Sequence, residues 1–466
     1  MSDPSFLSVA ELGRLLRARQ VSAVELTRHF LDRLERLGPT YNAVVTVLRE
    51  RALTEARERD RELARGRNRG PLHGIPYGAK DLLAVEGAPT TWGARPYRDR
   101  MLQGDATAIR RLRDAGAVLC AKLAMVELAG GMGYNQAFAS FTGPGRSPWG
   151  PARWSGGSSS GSGAAVGAGL VPFALGSETW GSIQFPAAFC GVTGLRPTYG
   201  RVSRHGAMAL SWTMDKLGLL GRTAEDCGHV LGAIAGPDPA DQSALARRFQ
   251  YPPRSRAPSR FRLGVLRGTL DKTQPEVRRN FEASLAVLRE FAEVEDDLEL
   301  PDFPYEAMAS VIIDAEAASA FEPLFQSGRI TELTAPEDRI GGYSGQVVLA
   351  KDYLRALRLR RPAAAALDGL LKRVDALVAP SLPTVAWPID APFDKVYPDY
   401  PGGTSISGAA NLCGAPGLFM MNGTGEGSLP TSLQLTGRAL GEGTLLAIGA
   451  RYQQRTDHHR RRPPGL

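Results

Sequence analysis

Residues 156–170 read GGSSSGSGAAVGAGL, and nothing in them before the terminal Leu170 is larger than valine. In isolation such a run reads as a flexible Gly/Ser tether. Its context says otherwise. It does not separate two self-sufficient halves, and it continues directly into VPFALG, giving a small-residue apolar segment that has to be buried. Gly and Ser at a helix entrance let backbone N–H groups and hydroxyls approach other groups closely. The fold must therefore bring neighbouring backbone right up to this segment.

The flanking sequence indicates what those neighbours are. From residue 71 to about residue 220, short apolar runs alternate with Gly-rich turns and helical patterns. AVLCAKLAM (117–125) and LVPFALGS (170–177) read as buried strands, and ATAIRRLRDAG and SGAAVGAGL as the helices before them. This alternation predicts an α/β fold with a substantially buried sheet. Residues 8–66 read as helices: Ser8 with Glu11 and Ser22 with Glu25 match the S-x-x-E capping box, followed by apolar residues near a 3.6 period. GPTYNAVVTVL reads as a turn and a short strand, SPWGPARWSG as no strand, and YPPRSRAPSRF (251–261) as an exposed connector. FRLGVLRG and VDALVAPSLPTVA restart strands around the amphipathic TQPEVRRNFEASLAVLREF. The expected organisation is one large domain: a helical N-terminal layer over 1–66, a body over 67–460 and a basic, proline-containing tail over 461–466.

Bulk properties exclude several classes. No uninterrupted run of about 18 apolar residues occurs, so no membrane span is expected. The N-terminus lacks a charged segment followed by an apolar core, which argues against a signal peptide and for the cytoplasm. Cys120, Cys190, Cys227 and Cys413 are widely spaced and form no ligand pattern, so neither zinc nor any other metal is expected. The net charge of +8 comes from Arg interleaved with Glu and Asp along helices, without aromatics, so no nucleic-acid partner is expected.

Candidate chemistry is restricted in the same way. GSSSG (157–161) formally matches the G-x-S-x-G elbow, but the strand such an elbow requires is not expected before it, and neither His205 nor His229 stands in a recognisable catalytic loop. Lys80 stands in the apolar run GIPYGAKDLL. Two readings are open: a lysine snorkelling to a sheet edge beside Asp81, or a desolvated amine whose lowered pKa makes it a base. Ser182 follows a tight TWG turn, which can aim several backbone N–H groups at one point.

Together, GIPYGAKDLL, GGSSSGSGAAVGAGL, GSETWGSIQFPAAFCGVTGLRPTYGRVS, MDKLGLLGRTAEDC, NLCGAPGLF and LPTSLQLTGRALGEGTLLAIGARYQQRTD occur in the order found in the amidase signature family, which the chain resembles from about residue 8 to 460. The resemblance implies a large mixed β-sheet sandwiched between α-helices and a Ser-Ser-Lys triad without a cofactor. Lys80 would be the general base, Ser158 the bridging serine and Ser182 the nucleophile. The N–H groups of Thr179, Trp180, Gly181 and Ser182 would form the oxyanion hole, and Ser160, Ser177 and Glu178 would orient the triad.

Departures from the family pattern bear on substrate. Trp180 stands where the family commonly has glycine, Gln184 where it has arginine, and Val126 where it has aspartate. Loss of the arginine argues against an acidic or amino-acid substrate. Trp180, Gln184 and Met125 are the candidate substrate contacts, and ELAGGMGYNQAFASF (127–141) resembles the loop that walls the family's site, with Met132, Tyr134 and Phe138 as further apolar candidates. The expected activity is hydrolysis of small apolar or aryl amides, with carbamates or esters as further substrates. The alternative is the glutamine-hydrolysing A subunit of a tRNA-dependent amidotransferase. A homodimer is also compatible with the resemblance.

Overall fold

The computed structural model describes residues 3–132, 136–252 and 258–466. Thirteen strands run in chain order: β1 (Val44–Val47), β2 (Pro76–Lys80), β3 (Val118–Leu123), β4 (Arg146–Ser147), β5 (Gly150–Trp154), β6 (Ala174–Glu178), β7 (Thr193–Arg196), β8 (Lys216–Gly221), β9 (Phe261–Leu266), β10 (Ala292–Leu298), β11 (Ala376–Pro380), β12 (Gly417–Thr424) and β13 (Pro430–Thr436). Eleven of them form one mixed sheet in the order β1-β3-β2-β6-β8-β7-β12-β13-β11-β9-β10. The central strands are buried along their whole length, which is why they read as unbroken apolar runs rather than alternating ones. The edge strand β10 instead exposes Glu293 and Glu295, charges that discourage further pairing.

Two parallel neighbours matter most for function. β2 pairs with β6 through Gly78↔Ala174 and Ala79↔Leu175, so both strands end at the same edge of the sheet. Lys80 terminates one and Glu178 the other. In α/β sheets the carboxyl ends of parallel strands are where loops converge to make sites.

The Gly/Ser segment is fully buried. Ser160–Gly167 forms a helix that packs on β2, β3 and β6. A Cβ at Gly161 would lie 2.4 Å from Ala43 O and 2.5 Å from Ala124 N, closer than atoms can approach. Its own N–H donates to Ala124 O at 2.9 Å. The absence of side chains is thus what admits the neighbouring backbone.

The N-terminal residues form the expected helices Val9–Arg17, Ala23–Tyr41 and Arg49–Ala64, and both capping boxes are made. Two expectations are corrected. The second helix runs through Pro39 to Tyr41, with the N–H that Pro39 lacks forfeiting one backbone bond, and the chain reverses at Asn42 with φ 46°. The segment 146–154, expected to contain no strand, forms the two-stranded ribbon β4–β5. It lies outside the main sheet, and its end carries Trp154 into an aromatic cluster with Phe185, Phe189, Trp387 and Phe393.

One hydrophobic cluster runs from Val9 to Tyr452, so the helical layer and the body share a core, and β1 ties that layer into the sheet. A second cluster lies around the helices Tyr305–Ala320 and Ala350–Leu371. The tail folds back, with Leu466 against the main cluster and Arg462 over the Phe6 ring. Among the described residues no helix is long and apolar enough to cross a membrane. Residues 253–257 of the expected connector, and Tyr134 of the wall loop, lie outside the described residues.

Candidate active site

Lys80 is at the last position of β2 with a relative exposure of 0%. Its Nζ hydrogen-bonds Ser158 Oγ at 2.7 Å and Ser177 Oγ at 2.9 Å. Successive strand side chains point to opposite faces, and the chain turns at Asp81, which pairs with buried Lys122 at 2.6 Å. The snorkelling reading of Lys80 therefore fails. Burial drives its pKa from the ordinary 10.5 to about 7, and the more distant Asp215 and Glu178 offset only part of that fall. At neutral pH about half of the amines are therefore uncharged, against almost none for an ordinary lysine.

Ser158 is held in the loop before the helix Ser160–Gly167, where the Gly157–Ser158 peptide is cis and Val126 N donates to Ser158 O at 3.1 Å. Val126 thus reaches Ser158 through its backbone, and its side chain packs in the aromatic cluster. Ser159, the central serine of the elbow pattern, spends its hydroxyl on Ser177: Oγ donates to Ser177 O at 3.2 Å and accepts from Ser177 N at 3.3 Å. Ser159 N donates to Ser182 O at 3.3 Å, which pins the two serine loops together. Ser160 begins the helix and is buried.

Ser182 lies 5% exposed in the turn between β6 and the helix Gln184–Cys190. Gly181 shapes that turn, with φ 84° and a missing Cβ that would meet the Phe185 ring at 2.9 Å. The N–H groups of Trp180, Gly181 and Ser182 donate no hydrogen bond to the described residues. Among the described residues the hydrogen-bonded chain runs from Lys80 to Ser158, and no hydrogen bond joins the Ser158 and Ser182 hydroxyls. Such links often tighten only when substrate is bound.

The turn stands on buried charge. Glu178 Oε2 accepts from Ile183 N at 2.8 Å and Gln184 N at 3.0 Å, and Oε1 pairs with Arg196 Nη1 at 2.6 Å. Burial alone would raise the Glu178 pKa, but Arg196, Lys216 and the Gln184 N–H outweigh it, and the net direction is down. Thr179 Oγ1 donates to Asp215 Oδ1 at 2.5 Å, and Lys216 Nζ donates to Thr179 O at 3.2 Å. Asp215, Lys216 and Arg196 were not singled out from the sequence. The available signal was MDKLGLL, an Asp-Lys pair opening an otherwise apolar strand.

Two cavities flank the Ser177–Ser182 segment. One, of about 180 Å³, touches Ser177 and Thr179 and is lined by Arg204, His205, Asp215 and Asp241 among others. The other, of about 220 Å³, touches Trp180, Gly181 and Gln184, and no charged side chain lines it. Trp180 is half-buried, packed on the second cluster and contributing to this neutral wall. Met125 is fully buried in the main core and lines neither cavity. Its placement is that of a packing residue. Among the described residues no group of three or more His, Cys, Asp or Glu side chains is arranged to hold a metal ion.

The family model described as Amidase matches residues 25–446. The chain belongs to the amidase family. One relative is the A subunit of glutamyl-tRNA(Gln) amidotransferase from Azoarcus sp. (strain BH72), to which this amidase is 39% identical over 487 residues, covering 98% of this chain and 99% of the relative. Among solved structures, native peptide amidase from Stenotrophomonas maltophilia superposes with a TM-score of 0.86 at 32% identity, covering 99% of both chains. The A subunit of glutamyl-tRNA(Gln) amidotransferase from Thermotoga maritima superposes with a TM-score of 0.80 at 27% identity, covering 98% of this chain and 96% of that one. The α/β fold with its large mixed sheet is that of the family, and the protein is a carbon–nitrogen hydrolase.

Proposed function

We propose that this amidase hydrolyses neutral amides through an acyl-enzyme on Ser182. The observation that carries the reading is the buried Lys80 amine, with a pKa of about 7, 2.7 Å from Ser158 Oγ. A neutral Nζ has a lone pair for the Ser158 proton and N–H bonds left for Ser177. Ser158 in turn takes the proton of Ser182 as Ser182 Oγ attacks the carbonyl carbon. The free N–H groups of Trp180, Gly181 and Ser182 are donors for the oxyanion. The relay then returns a proton to the leaving nitrogen, the C–N bond breaks, and water activated by the same relay hydrolyses the ester on Ser182. Glu178 and Arg196 act by fixing the turn, not by touching substrate.

The neutral cavity beside Trp180 supports an uncharged substrate, because a free α-amino acid brings a carboxylate and an ammonium that need partners. A second reading has its own support. The curated relatives, such as the one from Azoarcus, bear the name of an amidotransferase component and match over nearly the whole chain, which favours release of ammonia from glutamine for a protein partner. Ammonia release by the purified chain from N-acetyl-phenylalaninamide, an aryl amide and glutamine separates the two. Turnover of the neutral amides without glutamine is the expected result. Turnover of glutamine alone, or only after a partner protein is added, establishes the second reading instead.

A further inference from the structure

A polar cavity lies away from the active site, at the opposite edge of the sheet. Lys216 opens β8 and pairs with Glu178 at the catalytic edge, and Arg222 follows the last residue of that strand, Gly221. The cavity has a volume of about 410 Å³, within the range of small-molecule pockets. Arg14, Arg222, Arg460 and Arg462 line it, against two carboxylates, Glu11 and Glu225. Glu11 is committed to its capping box, where it accepts from Ser8 N and Ser8 Oγ at 2.8 Å. Among the described residues none of the four arginines forms an ion pair, whereas the neighbouring Arg461 pairs with Asp457 at 3.5 Å.

Arg222 is 7% exposed, and a charge so buried ordinarily has a partner. Its Nη2 donates to His459 O at 3.1 Å and Arg461 O at 3.5 Å. Nε and Nη1 donate to no described residue, yet neither is a fully enclosed atom, so both keep accessible surface. Phe6 locates the group: the Arg222 and Arg462 guanidiniums lie 5.0 and 4.7 Å from the centroid of its ring, and Phe6 itself lines the cavity. Arg14 and Arg460 act on Glu11. Against its burial, the Ser8 hydrogen bonds and then these two charges hold the Glu11 carboxyl below its ordinary range. Burial pushes the Arg222 pKa down to about 10, with Asp226 opposing and Arg462 adding to the fall, so the group remains a cation at neutral pH.

We propose that this cavity binds a small ligand bearing a diphosphate group, held by the free N–H bonds of Arg222 and by Arg14, Arg460 and Arg462. Guanidinium forks match phosphate oxygens in pairs, and four of them against two carboxylates leave a positive surplus that a multiply charged phosphate neutralises. A neutral or cationic ligand would leave that surplus standing. A nucleic-acid strand is disfavoured, because Phe6, the aromatic carbocycle of the wall, is already covered by two guanidiniums and offers no face for a base. The ligand would bridge the helix Val9–Arg17, the turn at Arg222 and the C-terminal tail, so its binding stabilises the docked tail. The proposal is independent of the hydrolytic reading, since the cavity shares no residue with the catalytic turn.

Isothermal titration of the full chain with sodium pyrophosphate, in magnesium-free buffer with about 150 mM NaCl, tests it. One molecule per chain is expected, with a Kd roughly tenfold or more below that for sulfate and a Tm that rises with pyrophosphate concentration. Arg222→Met should weaken binding roughly tenfold or more. The double variant Arg460→Ala/Arg462→Ala, altered only at exposed positions, should weaken it by a similar factor. No binding, equal affinity for sulfate, or undiminished affinity in the double variant overturns the site. Should Arg222→Met not fold, the wild-type protein and the double variant decide. Tighter binding of a single-stranded RNA oligonucleotide than of pyrophosphate, lost in the double variant, overturns the small-ligand assignment.

Discussion

Replacing Lys80 with methionine should make the protein more stable while removing its activity. Lys80→Met conserves the length of the side chain and removes an amine that burial penalises. The fall of its pKa from 10.5 to about 7 corresponds to about 5 kcal/mol, at about 1.36 kcal/mol for each tenfold change in proton affinity. The opposing loss is of the hydrogen bonds to Ser158 and Ser177, about 1 kcal/mol each. The variant should therefore gain about 3 kcal/mol at pH 7. The direction with pH follows from proton binding. Between about pH 7 and 10.5 the unfolded chain holds a proton on this lysine that the folded protein does not, so wild-type stability rises with pH across that window. The advantage of Lys80→Met should accordingly shrink by about 1.4 kcal/mol per pH unit and vanish near pH 9. Urea unfolding of both proteins at about pH 7, 8 and 9 measures it. A variant less stable than wild type at pH 7, or a difference that does not change with pH, refutes the claim that burial depresses the Lys80 pKa.

Glu178→Gln leaves Arg196 buried without its carboxylate and should cost about 3–5 kcal/mol, read as a lowered Tm. The kcat/KM for amides should rise with pH through an apparent pKa of about 7 and then level, as Lys80 loses its proton; a flat profile from about pH 5.5 to 9 contradicts a lysine base.

How much of this was legible in the sequence depended on the range of the interactions. The capping boxes at Ser8 and Ser22 and the buried strands at 118–123 and 174–178 are local patterns, and they were readable. The Gly/Ser run was readable too, because only close backbone approach explains a buried helix without side chains. The ribbon at 146–154 was not, since its register is set by Trp154 entering a cluster with residues from 185 to 393. In the site, the motif order pointed to Lys80, Ser158 and Ser182, and the structure brings Lys80 onto Ser158 and stitches Ser159 to Ser182. Motif order could not distinguish Met125 as core from Trp180 as wall, because that depends on which loops cross above the sheet. The Gln184–Ser381–Gln434 contacts likewise join residues nearly 200 or more positions apart, and no local signal announces them.

The central claim is that Ser182 carries the acyl group. Intact-protein mass spectrometry after brief exposure to an aryl ester, followed by peptide mapping, tests it directly. One acyl adduct per chain is expected, mapped to Ser182 and absent from Ser182→Ala. An adduct of equal yield in Ser182→Ala, or one mapped to Ser158 or Ser177 in the wild-type protein, would contradict it.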